Sequence, residues 1–539
     1  MGILNYLFVL LANILIVLIS FTTFCQHQNI LVGDYFPEKN YYPNEPSITA
    51  NLQNPNLMLV TTNGPVNNYY YSLDGGENWI RAGEYSFTLG LWGDPCVVAD
   101  TSGNFYFFHL ERLRDTGGTL LMPDRIFCRK INSNNMESGW SNVSFTGYNP
   151  PKMQDKEWAV YDPVNNNLYV VWTEFDEYGN PSPDCKSNVL FSRSTDGGLT
   201  WSNAIRINEV SGDCLDGENT PMQVVPTVGP NGEIYVSWPG PVGIVFDRST
   251  DQGGTWLDND IFVSDKPGGR PFPVPGISRG GTLPMVTCDV SGGPFNGTIY
   301  LNWPDLRNGS NDADIWLSKS VDGGNTWSEL KRVNNDPPGK HQLFPWLAVD
   351  QTNGNLYCIF YDRRNYNDSR TDVYIAFSSD GGETFNNHRI SETPFIPYGN
   401  VFIGDYSVVL AHNNIIRPVW ARMDNGYVSV WTAIIDQELL TNVVESDNDI
   451  LPTVLDIQAI FPNPFNNSTT IQYSLPNSGN LTLKIFDFLG REVKTLLEGE
   501  KSSGIYQLQL NTLDMASGVY FVNLIFDEML KTKKMILLK

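Results

Sequence analysis

A ten-residue turn, SRSTDGGLTW at residues 192–201, recurs as YSLDGGENW (71–79), RSTDQGGTW (248–256), KSVDGGNTW (319–327) and SSDGGETF (378–385). A chain that writes one turn five times is building one supersecondary unit repeatedly, and such units bury their faces only against each other. Each copy sits inside a longer module. A short apolar strand comes first, as in SITAN (47–51), CVVAD (96–100), WAVYD (158–162), VPTVG (225–229), MVTCD (285–289), WLAVD (346–350) and SVVLA (407–411). A second strand follows a turn rich in Asn, Gly and Pro, a third runs into the repeated turn, and a fourth leaves it, as in TWSNAIRIN.

Helical periodicity is almost absent from these modules, and their apolar residues alternate or run continuously over strand lengths. Seven modules of four strands predict an all-β fold, a seven-bladed β-propeller over residues 26–440, with six blades as the alternative count. The last module ends at YVSVWTAII (427–435) without a fourth strand, whereas NILVGD (29–34) stands alone before the first. The N-terminal strand is therefore expected to complete the last blade. With 539 residues, 41% of them hydrophobic, the chain has material for one large core and a small second domain.

Within the turn, an Asp before two glycines accepts backbone N–H groups across a tight hairpin, the glycines permit positive φ, and the Trp wedges between blades. These residues resemble the Asp-box, Ser-x-Asp-x-Gly-x-Thr-Trp, of sialidase-like or BNR-repeat propellers. Ser194, Asp196, Gly198, Thr200 and Trp201 match it fully, as do Ser320, Asp322, Gly324, Thr326 and Trp327. The first and last copies depart from it at Asn78 and Phe385, the second module has only KINSNNMESGW (130–140), and the seventh has none. The resemblance implies that Asp74, Asp196, Asp251, Asp322 and Asp380 are structural. Their turn joins strands three and four, on the rim away from any central site.

Chemistry is expected on the opposite rim, where the loops between strands two and three and between blades collect. Long charged segments end there, including WTEFDEYGNPSPDC (172–185), WPDLRNGSNDAD (303–314) and FYDRRNYNDSRTD (360–372). The starts of the first strands add GDPC (93–96), DKEW (155–158), HQLFPW (341–346) and GDYS (404–407) near the channel. Glycosidases need two acidic or nucleophilic groups flanking a pocket, and sialidases replace one with Tyr. Asp94, Glu157 and Asp405, with Tyr406 beside the last, are the catalytic candidates. Arg307, Arg363 and Arg364, with Asp305, Asp362 and His341, are the candidate substrate-binding rim, since guanidinium groups clamp carboxylates bidentately.

The same resemblance argues against cleavage of sialic acid itself. Catalytic sialidases carry an Arg in a Phe/Tyr-Arg-Ile-Pro segment before the first box and have six blades, and here no Arg occurs between Gln26 and Ser72. No motif requires a cofactor. The loop NGSNDAD (308–314) offers enough oxygen ligands for a structural calcium, but five histidines without a His-x-x-x-His pair argue against a zinc enzyme. A formal charge of −24 repels nucleic acid over most of the surface.

The apolar N-terminus, MGILNYLFVLLANILIVLISFTTFCQ, has the outline of a signal peptide over residues 1–25, with Thr23 and Cys25 before a cleavage point. Six cysteines remain after it and none forms a CxxC pair. Cys185 and Cys214 fall in polar loops that a disulfide would tie together, while the other four lie in apolar strands. Residues 441–454 form a polar linker, and residues 455–539 show about seven short strands, the pattern of a small Ig-like β-sandwich. With Pro462, Asn463 and Pro464, the stretch IFDFLGREV and SGVYFV before a basic tail, this segment resembles the sorting domain of type IX secretion cargo. The resemblance implies the type IX secretion machinery as a partner, and a protein secreted or attached to the outer surface of a Gram-negative bacterium. Two functions follow: a propeller that recognises an extracellular glycan or glycoprotein and cleaves it as a sialidase-like glycoside hydrolase or polysaccharide lyase, or a non-catalytic binding or adhesion propeller.

Overall fold

The computed structural model describes residues 27–440 and 455–539, apart from 36–42, 65–68, 83–90, 112, 115–117, 119, 142, 271, 282, 438–439, 462, 467, 477–478, 502–503, 512–514 and 527–528. The signal peptide and the linker lie outside the described residues. The chain divides into two compact units, Met1–Val444 and Glu445–Lys539.

The first unit contains, among the described residues, seven large antiparallel sheets, six of four strands and one of five. Their innermost strands are Asn44–Asn51, Leu91–Ala99, Met153–Asp162, Val225–Val228, Met285–Cys288, Gln342–Val349 and Val408–His412. Each packs beside the innermost strand of the next sheet, and the seventh returns to the first, so the sheets close into a β-propeller. Asn29–Gly33 pairs with Tyr427–Ala433 and supplies the outer strand of the seventh sheet. Strand burial follows from this stacking: the second strand of the third sheet, Asn167–Phe175, is buried along its whole length. Trp172, Trp238, Trp303 and Trp420, each in the second strand of its sheet, are among the largest fully buried side chains.

The repeated turn is held by its own side chains. In the copy at 319–327, one carboxylate oxygen of Asp322 accepts from Ser320 Oγ at 2.8 Å and Thr326 N at 2.9 Å, and the other from Thr326 Oγ1 at 2.6 Å. These bonds, led by the Thr326 hydroxyl, hold Asp322 at about 2, well below the usual carboxylate range. Gly324 has φ +88°, and a Cβ there would lie 2.1 Å from the Phe246 ring of the preceding sheet. Trp327 meets the same ring edge-on, with centroids 5.2 Å apart. The turn therefore locks one sheet onto its neighbour. In the second sheet its place is taken by a 3-10 helix, Ser133–Ser138.

Two small ribbons are added to the propeller, Leu113–Arg114 with Leu120–Leu121 and Phe272–Val274 with Ile277–Gly280. The second arises where the chain passes from the fourth sheet to the fifth, on the rim opposite the repeated turns.

The second unit is a β-sandwich with seven strands among the described residues. One sheet holds Asp456–Phe461, Ser468–Leu475 and Gly504–Asn511. The other holds Gly479–Asp487, Glu492–Lys501, Gly518–Phe526 and Met529–Leu537. Burial alternates along Gly518–Phe526, as it must where one sheet face meets the core and the other meets water. The core gathers Ile471, Leu483, Val522 and Leu537.

Candidate functional site

Left-handed backbone is uncommon outside glycine, yet it recurs where the chain enters the innermost strands: Glu45 at φ 47°, Asp94 at 55°, Lys156 at 53°, Gln223 at 51° and Phe344 at 52°. The ladder register breaks at the same place, between Asn44 and Ser47, Gly93 and Cys96, Asp155 and Trp158, and Leu343 and Trp346. A bulge re-aims the residue it contains. Three of these residues, from three sheets, consequently meet at the mouth of the ring.

Lys156 is the centre of the meeting. Its ammonium group contacts Asp94, lies 3.2 Å from Glu45 Oε1 and 3.2 Å from Asp405 Oδ2. Asp405 also receives Arg279 in a two-pronged pair, Nε at 2.7 Å and Nη2 at 2.5 Å. The remaining prong, Arg279 Nη1, reaches Asp216 Oδ2 at 3.2 Å, and Arg270 Nη1 takes Asp216 Oδ1 at 2.5 Å. Asn63 Nδ2 donates to Glu45 Oε2 at 2.7 Å.

Burial divides these carboxyls into two kinds. Glu45 is lifted to about 7, because loss of water outweighs the attraction of Lys156. Asp155 is pushed well above the carboxylate range by burial and then by Asp94. For Asp405 burial acts in the same sense, but Lys156, Arg279 and Arg270 outweigh it and hold the group at about 2. Burial opposes the charge on Lys156, yet Asp94, Glu45 and Asp405 keep it well above its usual range.

The cavity above this network measures about 180 Å³, and Trp92, Tyr178, Phe402 and Met153 form part of its wall. Tyr178 comes from the loop after Asn167–Phe175 and donates its hydroxyl to Asp216 Oδ2 at 2.9 Å. The disulfide Cys185–Cys214 joins the loops that carry these two residues. Deeper on the axis, Glu157, Gln223 and Tyr406 surround a much smaller space. Both Glu157 oxygens lack a hydrogen-bond partner, and burial raises this carboxyl well above its usual range.

Of the residues singled out from sequence, Asp94 and Asp405 meet through Lys156, while Glu157 and Tyr406 lie one layer below them. Tyr406 stands edge-on to Trp158 at 5.5 Å with its hydroxyl buried, and burial raises it well above the ordinary phenol range. The rim residues Asp305, Arg307, Asp362, Arg363, Arg364 and His341 do not join this site. Arg307 Nε pairs with Asp305 at 2.9 Å, and Arg364 Nε with Asp362 at 2.8 Å, so each guanidinium braces its own sheet. Arg363 is 3% exposed, with Nε 3.1 Å from Thr371 Oγ1. His341 Nδ1 accepts from Ala313 N at 3.3 Å and, lowered by burial to about 4, is neutral. In the loop 308–314, Asp312 accepts from Gly339 N at 2.7 Å and Asp314 from Arg332 Nε at 2.5 Å. No cluster of three or more His, Cys, Asp or Glu able to hold a metal occurs among the described residues. Glu45, Asp155, Lys156, Asp216, Arg270 and Arg279 are the members that sequence reasoning missed. DKEW was visible as a charged strand start, but the bulge that turns its Lys inward carries no compositional mark.

Residues 459–538 match the secretion system C-terminal sorting domain. This segment is a secretion sorting domain. Such a sorting domain makes the chain type IX secretion cargo, secreted or attached to the outer surface of a Gram-negative bacterium of the Bacteroidetes, and implies interaction with that machinery. No curated protein matches the chain. Solved structures similar to it include an ulvan lyase, a polysaccharide lyase bound to a GlcA–Rha3S ligand, at 12% identity over 76% of this chain and 96% of that one, TM-score 0.46. A sialidase from Streptococcus pneumoniae is 9% identical over 70% of this chain and 83% of that one, TM-score 0.40. An α-L-arabinanase from Penicillium chrysogenum is 14% identical over 65% and 98%, TM-score 0.39.

Proposed function

We propose that the exported propeller recognises an extracellular glycan or the glycan of a glycoprotein at the mouth opposite the Asp-boxes, and that the sugar it takes there is uncharged. The observation that carries this reading is the commitment of the mouth cations Lys156, Arg279 and Arg270 to carboxyls of the site itself. Lys156 faces three carboxylates, and Arg279 spends all three prongs on Asp405 and Asp216. A sialic or uronic acid would meet no open guanidinium and an excess of carboxylates. A neutral sugar would find hydroxyl acceptors beside the rings of Trp92, Tyr178 and Phe402.

Glycoside hydrolysis is the second reading, favoured by the split between Glu45 at about 7 and Asp405 at about 2 around one ammonium group. Carboxyls whose environments separate them in this way can divide the roles of proton donor and ionised partner. The test is a panel of sialosides, uronic-acid polysaccharides and neutral glycans offered to the purified chain and scored for binding and product release. Neutral glycans bind, and Asp94→Asn weakens them. Product release that disappears in Asp405→Asn and Glu45→Gln establishes the hydrolase, binding without release establishes an adhesion propeller, and selective capture of anionic glycans refutes the uncharged-sugar reading.

A further inference from the structure

A second cavity on the first unit lies away from the mouth. It is a groove of about 420 Å³ between the outer part of the second sheet and the third, compared with about 180 Å³ at the mouth. It opens beside the sheet whose box is replaced by the 3-10 helix Ser133–Ser138 and whose outer strand is Ser144–Thr146. Trp201, from the third sheet's intact Asp-box, lies in its lining, with Nε1 donating to Ser144 Oγ at 3.1 Å.

Two large rings stand in water along this groove, Phe145 at 46% exposure and Tyr148 at 56%. Burial in the core does not explain them, yet they are firmly placed. The Arg125 guanidinium lies 4.7 Å from the Phe145 centroid and 4.2 Å from that of Tyr148, and is itself held by Asp124 at 2.7 and 3.0 Å. The rings meet edge-to-face at 6.3 Å. Gly147 between them has φ +71°, and a Cβ there would lie 2.7 Å from the Trp172 ring, so the chain presses onto the core just before Tyr148 emerges. Rings fixed in this way lose little freedom when a ligand covers them.

The polar lining fits a neutral ligand. Asn149 Nδ2 donates to Glu174 Oε2 at 2.9 Å, and Asn149 and Asn203 are both exposed in the lining. The charges around the groove are already paired: Arg125 with Asp124, and Glu174 with Lys152 at 3.0 Å. Amides beside an aromatic shelf, with no charge on offer, suit a molecule with apolar C–H faces and hydroxyl edges.

The geometry points to a second carbohydrate site on the side of the propeller, where a neutral oligosaccharide lies against Tyr148 and Phe145 and hydrogen-bonds to Asn149 and Asn203. It rests on the glycan reading for its ligand class but uses none of the mouth residues. Affinity gels containing arabinan, xylan, galactomannan or β-glucan, run with the full chain, test it. At least one polysaccharide retards the wild-type chain, Tyr148→Ala weakens that binding at least about tenfold, and Tyr148→Phe, which keeps the ring, binds as wild type. Asp94→Asn acts at the mouth and weakens binding separately, so the double variant Asp94→Asn/Tyr148→Ala binds less than either single variant. Retardation lost in Asp94→Asn but intact in Tyr148→Ala overturns the lateral site and leaves the mouth reading standing; the reverse pattern supports the lateral site while the mouth reading fails. Absence of retardation of the wild-type chain in every gel overturns the lateral site.

Discussion

Lys156 shows how much one side chain can hold at the mouth. Three buried carboxylates, Glu45, Asp94 and Asp405, share its ammonium group, and the alternative partners within reach are also acids. Lys156→Met keeps the aliphatic stem and removes the charge, leaving Asp94 and Glu45 out of water without their ammonium partner while Asp405 keeps Arg279. Urea denaturation at pH 7 should show a loss of about 3–5 kcal/mol, the range found when one partner of a buried pair is deleted. Asp405 predicts a pH effect. Its carboxyl sits at about 2 when folded and 3.8 when unfolded, so its contribution is complete above 3.8 and fades as the pH falls through 2. The shift corresponds to about 2 kcal/mol. Asp405→Asn should flatten that acid limb of the stability curve. Glu45 acts with the opposite sign, because its folded value of about 7 exceeds the unfolded 4.5. The stability it adds is complete below 4.5 and is lost as the pH rises to 7, a slope that Glu45→Gln should remove.

At the level of elements, the repeated Asp–Gly–Gly turn and the bulged strand start divide the work of a sheet. The turn is local: Asp322 bonds within its own hairpin and Gly324 and Trp327 press on Phe246. Asp322→Ala should cost about 1–2 kcal/mol in denaturant unfolding, the loss expected when backbone and hydroxyl donors lose their acceptor. Glycan binding should not change, since that turn lies on the rim away from the mouth. A binding defect in Asp322→Ala with unaltered stability would contradict this division. The bulge, by contrast, is read only through its neighbours in the ring. The pairings Arg307–Asp305 and Arg364–Asp362 are likewise not legible from sequence, because a charged strand end can brace its own sheet as readily as it can face a ligand.

On the scale of the whole molecule, the propeller and the sorting sandwich carry separate duties. The sorting domain matches over residues 459–538, and a chain lacking that segment should remain cell-associated when culture supernatant, outer membrane and soluble cell fractions are compared by immunoblot. Its appearance on the outer surface without the segment would contradict the assignment. Propeller closure depends on pairing across the length of the first unit: Asn29–Gly33 completes the sheet whose partner strand is Tyr427–Ala433. That junction was legible in advance, since one orphan strand and one incomplete module imply each other.

What the sequence determined by itself is what depends on neighbours along the chain. The Asp–Gly–Gly turns, the four-strand modules, the aromatic ends of the second strands and the terminal sorting domain all follow from local spacing and periodicity. Tertiary structure alone decided the site. Asp405 N reaches Glu45 Oε1 at 3.2 Å across 360 residues, and Lys156 and Arg279 enter from two further parts of the ring. The physical reason is geometric: ring closure brings seven strand starts around one axis, and a left-handed residue at several of them chooses which side chain turns inward. The backbone handedness leaves no trace in residue type, for Glu, Asp, Lys, Gln and Phe all occupy that position.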